Sequence, residues 1–583
     1  MKESEINMKT SSSKMALKPY LEAVREHCQS LSKDELVETI LEIAQERPIA
    51  ARMEFLDKIR AITSRAVSAV STVRKSEEHI VESMLERIEA LKEEIIERIE
   101  SIEDGSYWDD RDHWHHDDED PEYLTDEQSD ELETLFVETG GLFLDGQLEA
   151  ACRLYGTLFE LMGGNDAIRT GFSPPSSDIR EARARYCRCV HETSDPSCRL
   201  DNFFHCMEVH APMNHYRLDL PSEPFPMLQD VLDARPDEVP GWESFLPAWE
   251  EKLRSHDTAR AAMLRMEAVF RLEGIRGLAR LTGDWKSRQP CGYLFLIQHL
   301  EEARDWRGMI DTCREALDAL PKNSFREQAA GYLVKAAMQV REPSVALLGK
   351  RESFLSAPHE RNLLELLEEA DKQGVRSNEL GTVLTFKEEF KDRGDGRGSL
   401  YLKILLMAGR LEEAFAEGKN EKGVGWSYGK AGVLFAGILS ALTESSPKAV
   451  VIIAMLKEYA KGSYSGFHGG TEEQAGIYRE IVKGLAPLRL TTPDRKKYLE
   501  WADRIGRDRV HSIVANQHRG AYNRAAQVLG ALAECCLVLG ERERASSLLN
   551  EFVHVKFRRH HAFRSEVKCV VAGSVLLKEL RAM

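Results

Sequence analysis

The sequence predicts an all-α protein, a right-handed superhelix of antiparallel helical hairpins behind an N-terminal helical module. Three observations carry this expectation. Apolar residues recur at three- and four-residue spacing over most of the chain, whereas sustained alternation, or an Asn-Gly or Asp-Gly turn between β-branched runs, is nearly absent. At 583 residues the chain is too long for one compact core, so it forms several domains or a solenoid whose core grows along its axis. The stretch from Tyr293 to Pro321 reads as two short helices, one presenting Leu296 and Leu300, the other Met309, Cys313 and Ala316, with Asp305-Trp306 at the corner. Such a pair cannot bury its own apolar face and needs neighbours of the same kind.

Taken in order, residues 1 to about 16 read as a frayed tail. Tyr20 to Cys28 and Leu36 to Ala44 have helical spacing, and Ser32-Lys-Asp-Glu35 is a capping box between them. Arg47-Pro48 closes one helix and Pro48 starts another. From Ser76 to Ile102 a long helix carries Val81, Met84, Ile88, Leu91, Ile95, Ile99 and Ile102 on a Glu-rich background. That stripe is either a coiled-coil seam or a face packed on the first helices of the same chain. Residues 104–130 form an acidic linker whose charge density opposes burial. His113, His115 and His116 there catch a divalent ion weakly at most, because no cysteine or helical spacing sets a geometry. The predicted domains are 1–103, the N-terminal module; 131–400, helical repeats; and 401–583, helical repeats turning basic toward the end.

The repeat character begins beyond the linker. Leu135 to Met162 reads as two helices hinged at Asp145-Gly146, and a glycine followed five residues later by an alanine recurs at Gly146/Ala151, Gly274/Ala279, Gly409/Ala414 and Gly540/Ala545. The glycine takes the tight turn, and the alanine lets the two helices approach. The intervals of 128, 135 and 131 residues are each near four units of the roughly 34-residue tetratricopeptide repeat, and this recurrence predicts helical hairpins; it is the Tyr293 to Pro321 pair, with Ala303, Trp306, Cys313, Ala316 and Pro321, that resembles the tetratricopeptide type. Loops are expected at 163–164, 172–177, 219–227, 234–240, 393–398, 462–470 and 490–493.

Five stretches carry a second likeness: LSKDELVETILEIAQERP, the acidic break, LFLDGQLEAACRLYGTLFELM, GVGWSYG at 423–429, and HRGAYNRAAQVLGALAE with FRRHHAFRSEV. Together they resemble bacterial helical-repeat proteins whose relatives often carry a SWIM zinc finger. The resemblance covers most of the chain and implies the fold more than a function. In that finger a Cys-x-Cys is completed by a later Cys-x-His; here Cys187-x-Cys189 is present and no Cys-x-His follows, so the finger itself is missing.

The formal charge of -18 argues against general binding to nucleic acid or an anionic membrane. Its distribution is uneven, since residues 489–583 carry 18 Lys+Arg against 10 Asp+Glu, about +8. The N-terminal residues lack an apolar core of signal-peptide length, and Ala449 to Leu456 is far short of the roughly 20 residues of a membrane span, so a soluble cytoplasmic protein is expected. The 11 cysteines read as buried thiols rather than a disulfide framework, Cys535, Cys536 and Cys569 among them.

Two constellations could carry chemistry. Cys187 and His191 are four residues apart, as are Cys206 and His210, so each pair shares one side of a helix; facing each other they supply a tetrahedral zinc set, with Cys189, Cys198 and His205 as spares. The alternative is core packing by small residues. The second constellation is basic: Arg504, Arg507 and Arg509 beside Trp501 and Tyr522, then Lys556, Arg558, Arg559 and Arg564. Cations interleaved with aromatics grip phosphates or stack on bases, and the alternative is a solvated or ion-paired face. The Gly462 to Gly470 loop has neither a preceding strand nor a Gly-Lys-Ser/Thr, so no phosphate cradle or catalytic elbow is expected. These observations predict a non-enzymatic scaffold without a cofactor, holding a peptide or another protein. The alternative is a regulator of a bacterial nucleic-acid-associated system, for instance the helical substrate of the CRISPR-guided caspase-like protease of type III-E systems. Length, helicity and acidity are compatible with that alternative.

Overall fold

The computed structural model describes residues 16–45, 56, 73–104, 124–163, 178–211, 225–387, 397–420, 426, 430–460 and 471–581. The frayed tail, Arg47-Pro48, the three linker histidines, most of GVGWSYG and the 462–470 loop lie outside them. Among the described residues every regular element is a helix, and no helix is long and apolar enough to cross a membrane. The chain divides into two compact units, Met1–Asp284 and Trp285–Met583. Residues on both sides of 400 share the core of the second unit.

The first unit holds α1 (Leu17–Ser30), α2 (Lys33–Gln45), α3 (Val73–Asp104), α4 (Asp126–Leu144), α5 (Leu148–Gly163), α6 (Ile179–Thr193), α7 (Arg199–Cys206), α8 (Leu228–Asp233), α9 (Trp242–Arg254) and α10 (Ala259–Trp285). The capping box before α2 forms: Glu35 N donates to Ser32 Oγ, and Ser32 N donates to the Glu35 carboxylate at 2.7 Å. The long helix α3 is no seam awaiting a partner. Val81, Met84, Ile88, Leu91, Ile95 and Ile99 are buried against α4 and α5, beyond the acidic stretch rather than before it. Burying each such side chain stabilises by roughly 1.5–3 kcal/mol. Arg87 fixes the register by pairing with Glu131 and Glu138 of α4.

A second core of this unit gathers α6 to α10 around Phe203, Trp249, Leu253 and Leu264. Residues 225–241 thread past it with only the six-residue α8 as regular structure, so their backbone groups need partners from elsewhere. Buried charged residues supply them. Glu267 accepts from Leu228 N and Gln229 N at the start of α8. Arg188, fully buried, donates to the carbonyls of Leu232, Arg235 and Asp237 at and beyond its end. Arg260 donates to Met207 O and Pro226 O.

The second unit continues with α11 (Cys291–Glu302), α12 (Trp306–Ala319), α13 (Ser324–Val340), α14 (Pro343–Ser356), α15 (Glu360–Lys372), α16 (Arg376–Leu384), α17 (Arg397–Met407) and α18 (Leu411–Gly418). Helices α11, α13, α15 and α17 begin 33, 36 and 37 residues apart. Each is closed by the same corner. One residue takes positive φ (Arg304, Arg341, Gly374, Gly409), and the next N–H reaches back five residues to a carbonyl, as Glu342 N does to Ala337 O at 2.9 Å. The α4/α5 corner at Gly146 and the corner at Gly540 are built alike. Five residues past the positive-φ position the side chain is buried every time: Ala151, Met309, Ala346, Glu379, Ala414 and Ala545. Glu379 is tolerated there because Arg351 of α14 grips it with two hydrogen bonds. The Gly274/Ala279 match is not a hairpin. Gly274 kinks α10 and Ala279 is exposed.

The rest of this unit is α19 (Lys430–Leu442), α20 (Val450–Ala460), α21 (Thr471–Leu485), α22 (Thr492–Ala515), α23 (Tyr522–Val538), α24 (Arg542–Asn550), a π-helical turn Glu551–Lys556, α25 (His561–Gly573) and α26 (Val575–Arg581). Buried charges terminate α20 at both ends. Glu534 of α23, fully buried, accepts from Val451 N and Ile452 N and from Ser574 Oγ. Lys403 of α17, 1% exposed, donates to Ala460 O and to Glu360.

Two outcomes follow for stability. At Gly484 an added Cβ would lie 2.2 Å from Met407 O and 2.5 Å from Leu406 O, so Gly484→Ala is expected to cost about 1–3 kcal/mol in chemical denaturation. Burial pushes the Glu267 carboxyl up to about 7 from an ordinary 4.5, against the pull of its two amide donors and Arg271. Between those values the folded chain holds a proton that the unfolded chain has released, so stability falls as pH rises from 4.5 to 7, by about 1 kcal/mol per unit. Glu267→Gln is expected to flatten that slope when unfolding is measured across the window.

Candidate functional site

The predicted zinc set does not assemble. Cys187 on α6 and Cys206 on α7 are buried neighbours, but the Cys187 thiol donates to the Cys206 carbonyl at 3.3 Å and the Cys206 thiol to the Phe203 carbonyl at 3.3 Å. Burial holds the Cys206 thiol well above its ordinary pKa, opposing the thiolate that a metal needs. His191 does share the Cys187 side of α6. Its ring is fully buried among the edges of Phe203, Trp242 and Phe245, with Nε2 3.0 Å from Pro240 O, and burial lowers its pKa so that the imidazole stays neutral. His210 is exposed beside Phe204 and His256. The four-residue spacing fails for it because α7 stops at Cys206 and Glu208 takes positive φ, so Cys206 and His210 are not on one helix. Of the spares, Cys189 belongs to the other core of the unit, Cys198 is half-buried and His205 is exposed. Among the described residues no group of three or more His, Cys, Asp or Glu is arranged to hold a metal.

The seven basic residues separate into engaged and free groups. Arg507 pairs with Asp503 and Glu551, and Lys556 pairs with the same Glu551. Arg509 is half-buried over the ring of Trp426, and burial lowers its pKa. Arg564 donates to Arg558 O at 3.1 Å. Arg504, Arg558 and Arg559 are exposed and make no ion pair among the described residues. The aromatics predicted to interleave with them are not available: Trp501 is 5% and Tyr522 4% exposed. Cys569, expected in a core, is exposed.

One concave feature was not foreseen. Helices α13, α14 and α15 enclose a groove of about 480 Å³ floored by Val334, Ala337 and Ala346. Met338 stands in it 69% exposed, one residue along from buried Ala337. Its walls are charged, and most charges are matched: Lys350 holds Glu365 at 2.5 Å, and Lys372 holds Glu368 at 2.9 Å. Gln373 ties the end of α15 to Pro343 O at the start of α14, closing one side. Arg341, the positive-φ corner residue, is the wall cation with no ion pair among the described residues. The lining contains no Ser, Cys or His, so it offers apolar contact and one guanidinium rather than a nucleophile with its base. The sequence signal was present but faint, an exposed methionine out of register with the buried stripe Ala330, Leu333, Ala337.

No protein-family profile matches the chain, and no curated protein matches it either.

Purified protein is expected to carry less than a tenth of an equivalent of zinc and to keep its melting temperature on chelation. His191→Ala, which strips Pro240 O of its donor and leaves a void among three aromatic rings, is expected to lower unfolding free energy by about 2–4 kcal/mol.

Proposed function

We propose that the chain is a non-enzymatic interaction protein, a superhelix of tetratricopeptide-like hairpins that holds an extended or helical peptide of another protein in the α13–α15 groove. The observation that carries this reading is the pairing, within one concave surface, of a solvent-exposed apolar side chain with a cation that has no ion pair among the described residues. Covering Met338 removes apolar surface from water, and a carboxylate of the peptide satisfies Arg341. The repeating corners support it, because consecutive hairpins of one pitch line up equivalent faces into a continuous surface. The N-terminal helices supply a second apolar face, with Tyr20, Val24, Val37, Ile40 and Leu41 all exposed, consistent with a docking module.

A random-peptide display library selected on the full chain tests this. Enrichment of peptides pairing an apolar with an acidic residue, whose binding drops at least about tenfold on Met338→Glu/Arg341→Glu, is the expected result. Absence of enrichment, or equal binding of the selected peptides to that variant, overturns the reading.

A further inference from the structure

We propose that the turn from Lys556 to Arg564, with Arg504 of α22, is a phosphate-binding surface for the backbone of a nucleic acid, gripping it without reading its bases. This surface is separate from the groove and does not depend on it. From Phe552 to Ser565 the chain contains four Lys+Arg and three His and no acidic residue. The carboxylates that neutralise cations here are already committed: Glu551 holds Arg507 and Lys556, and Asp503 holds Arg507. Arg558 and Arg559 are therefore left exposed with their guanidinium forks unmatched among the described residues, the geometry that phosphate oxygens accept in pairs.

The turn is held in place rather than loose. Phe557 is 5% exposed and packs its ring against His511 of α22 (5.9 Å), His560 (5.3 Å) and Phe563 (5.9 Å), while Arg564 bonds the Arg558 carbonyl. Helix α25 opens at His561 without a side-chain cap and without an acidic residue in its first turn, so its positive end adds to the same field. Exposed Asp508 on α22 and half-buried Glu566 on α25 are the carboxylates of these two elements beside the basic residues, and neither pairs with Arg504, Arg558 or Arg559 among the described residues. The aromatic rings of the region face inward, Phe552 and Phe563 at 0%, so there is no platform for base stacking. A polyanion with regularly spaced phosphates fits this arrangement better than a single phosphorylated side chain, since the free cations are spread over two elements.

The test is fluorescence anisotropy of the full chain with labelled single-stranded RNA and DNA of several sequences at low salt. Expected are dissociation constants in the micromolar range that vary little with sequence, a loss of at least about tenfold in Arg558→Glu/Arg559→Glu, and a salt slope shallower by about 2 in that variant. Both residues are exposed and make no ion pair among the described residues, so its melting temperature should match the native one. Arg314→Glu/Lys448→Glu makes the same charge change elsewhere in the unit and is expected to leave binding unaltered. No binding at tens of micromolar protein, equal weakening by the two double variants, a strong base preference, or preferential competition by a phosphoserine peptide at equal phosphate concentration each overturns the proposal.

Discussion

Helix α20 depends on two charges that its own sequence does not provide. Its ends lie where water cannot satisfy the free amides of the first turn and the free carbonyls of the last. The residue before it is Ala449, which has no capping oxygen. Glu534 accepts the amides from α23, and Lys403 donates to the terminal carbonyl from α17, so a negative group meets the positive end of the helix dipole and a positive group meets the negative end. Desolvating a carboxylate is costly, and burial does raise the Glu534 pKa, but three donors offset much of it. The same device recurs at smaller scale in the first unit, where Glu267 starts α8 and Arg188 receives the carbonyls at its end. In both units an element too poorly capped to stand alone is held by ionisable side chains from neighbouring helices, which ties local order to completed tertiary packing.

This use of charge bears on how the perturbed groups are understood. Shifted pKa values concentrate at catalytic sites often enough that Glu267, Glu534, His191 and Cys206 would each attract a functional reading. Each has a structural partner instead: backbone amides for the two carboxylates, and backbone carbonyls for the imidazole and the thiol. At the surface, exposed Met338 and Arg341 on one side of the second unit and Arg558 and Arg559 at its basic turn are left without such partners among the described residues. These are features that hold a partner, and the proposals rest on them.

The candidate sites were unevenly legible. The basic turn could be read from composition, because a run without acidic residues stays basic however it folds, but which of its cations are free could not: Arg507 meets Glu551 only through packing of α22 against the π-helical turn, and Lys556 meets it only through the winding of that turn itself. The zinc set failed on a matter of helix length. Four-residue spacing places side chains together only while the helix continues, and α7 ends at Cys206. The groove was invisible in advance because it belongs to three helices at once, and no single stretch records the distance between them.

By itself the sequence determined that this chain is helical, where several helices turn or begin, and which stripe of the long helix α3 is apolar, since periodicity, capping residues and Gly146, Gly409 and Gly540 act within a few residues of themselves. It did not reveal that Arg304 and Arg341 take the same strained corner as the glycines, or that Glu379 fills a position otherwise given to alanine or methionine, because the bidentate grip of Arg351 that permits it comes from another helix. Only the tertiary structure decided that α3 packs on α4 and α5 and that Glu534 and Lys403 are buried rather than solvated. The free energy of a buried charge is set by the partners that surround it in space, and neighbours along the chain do not specify those.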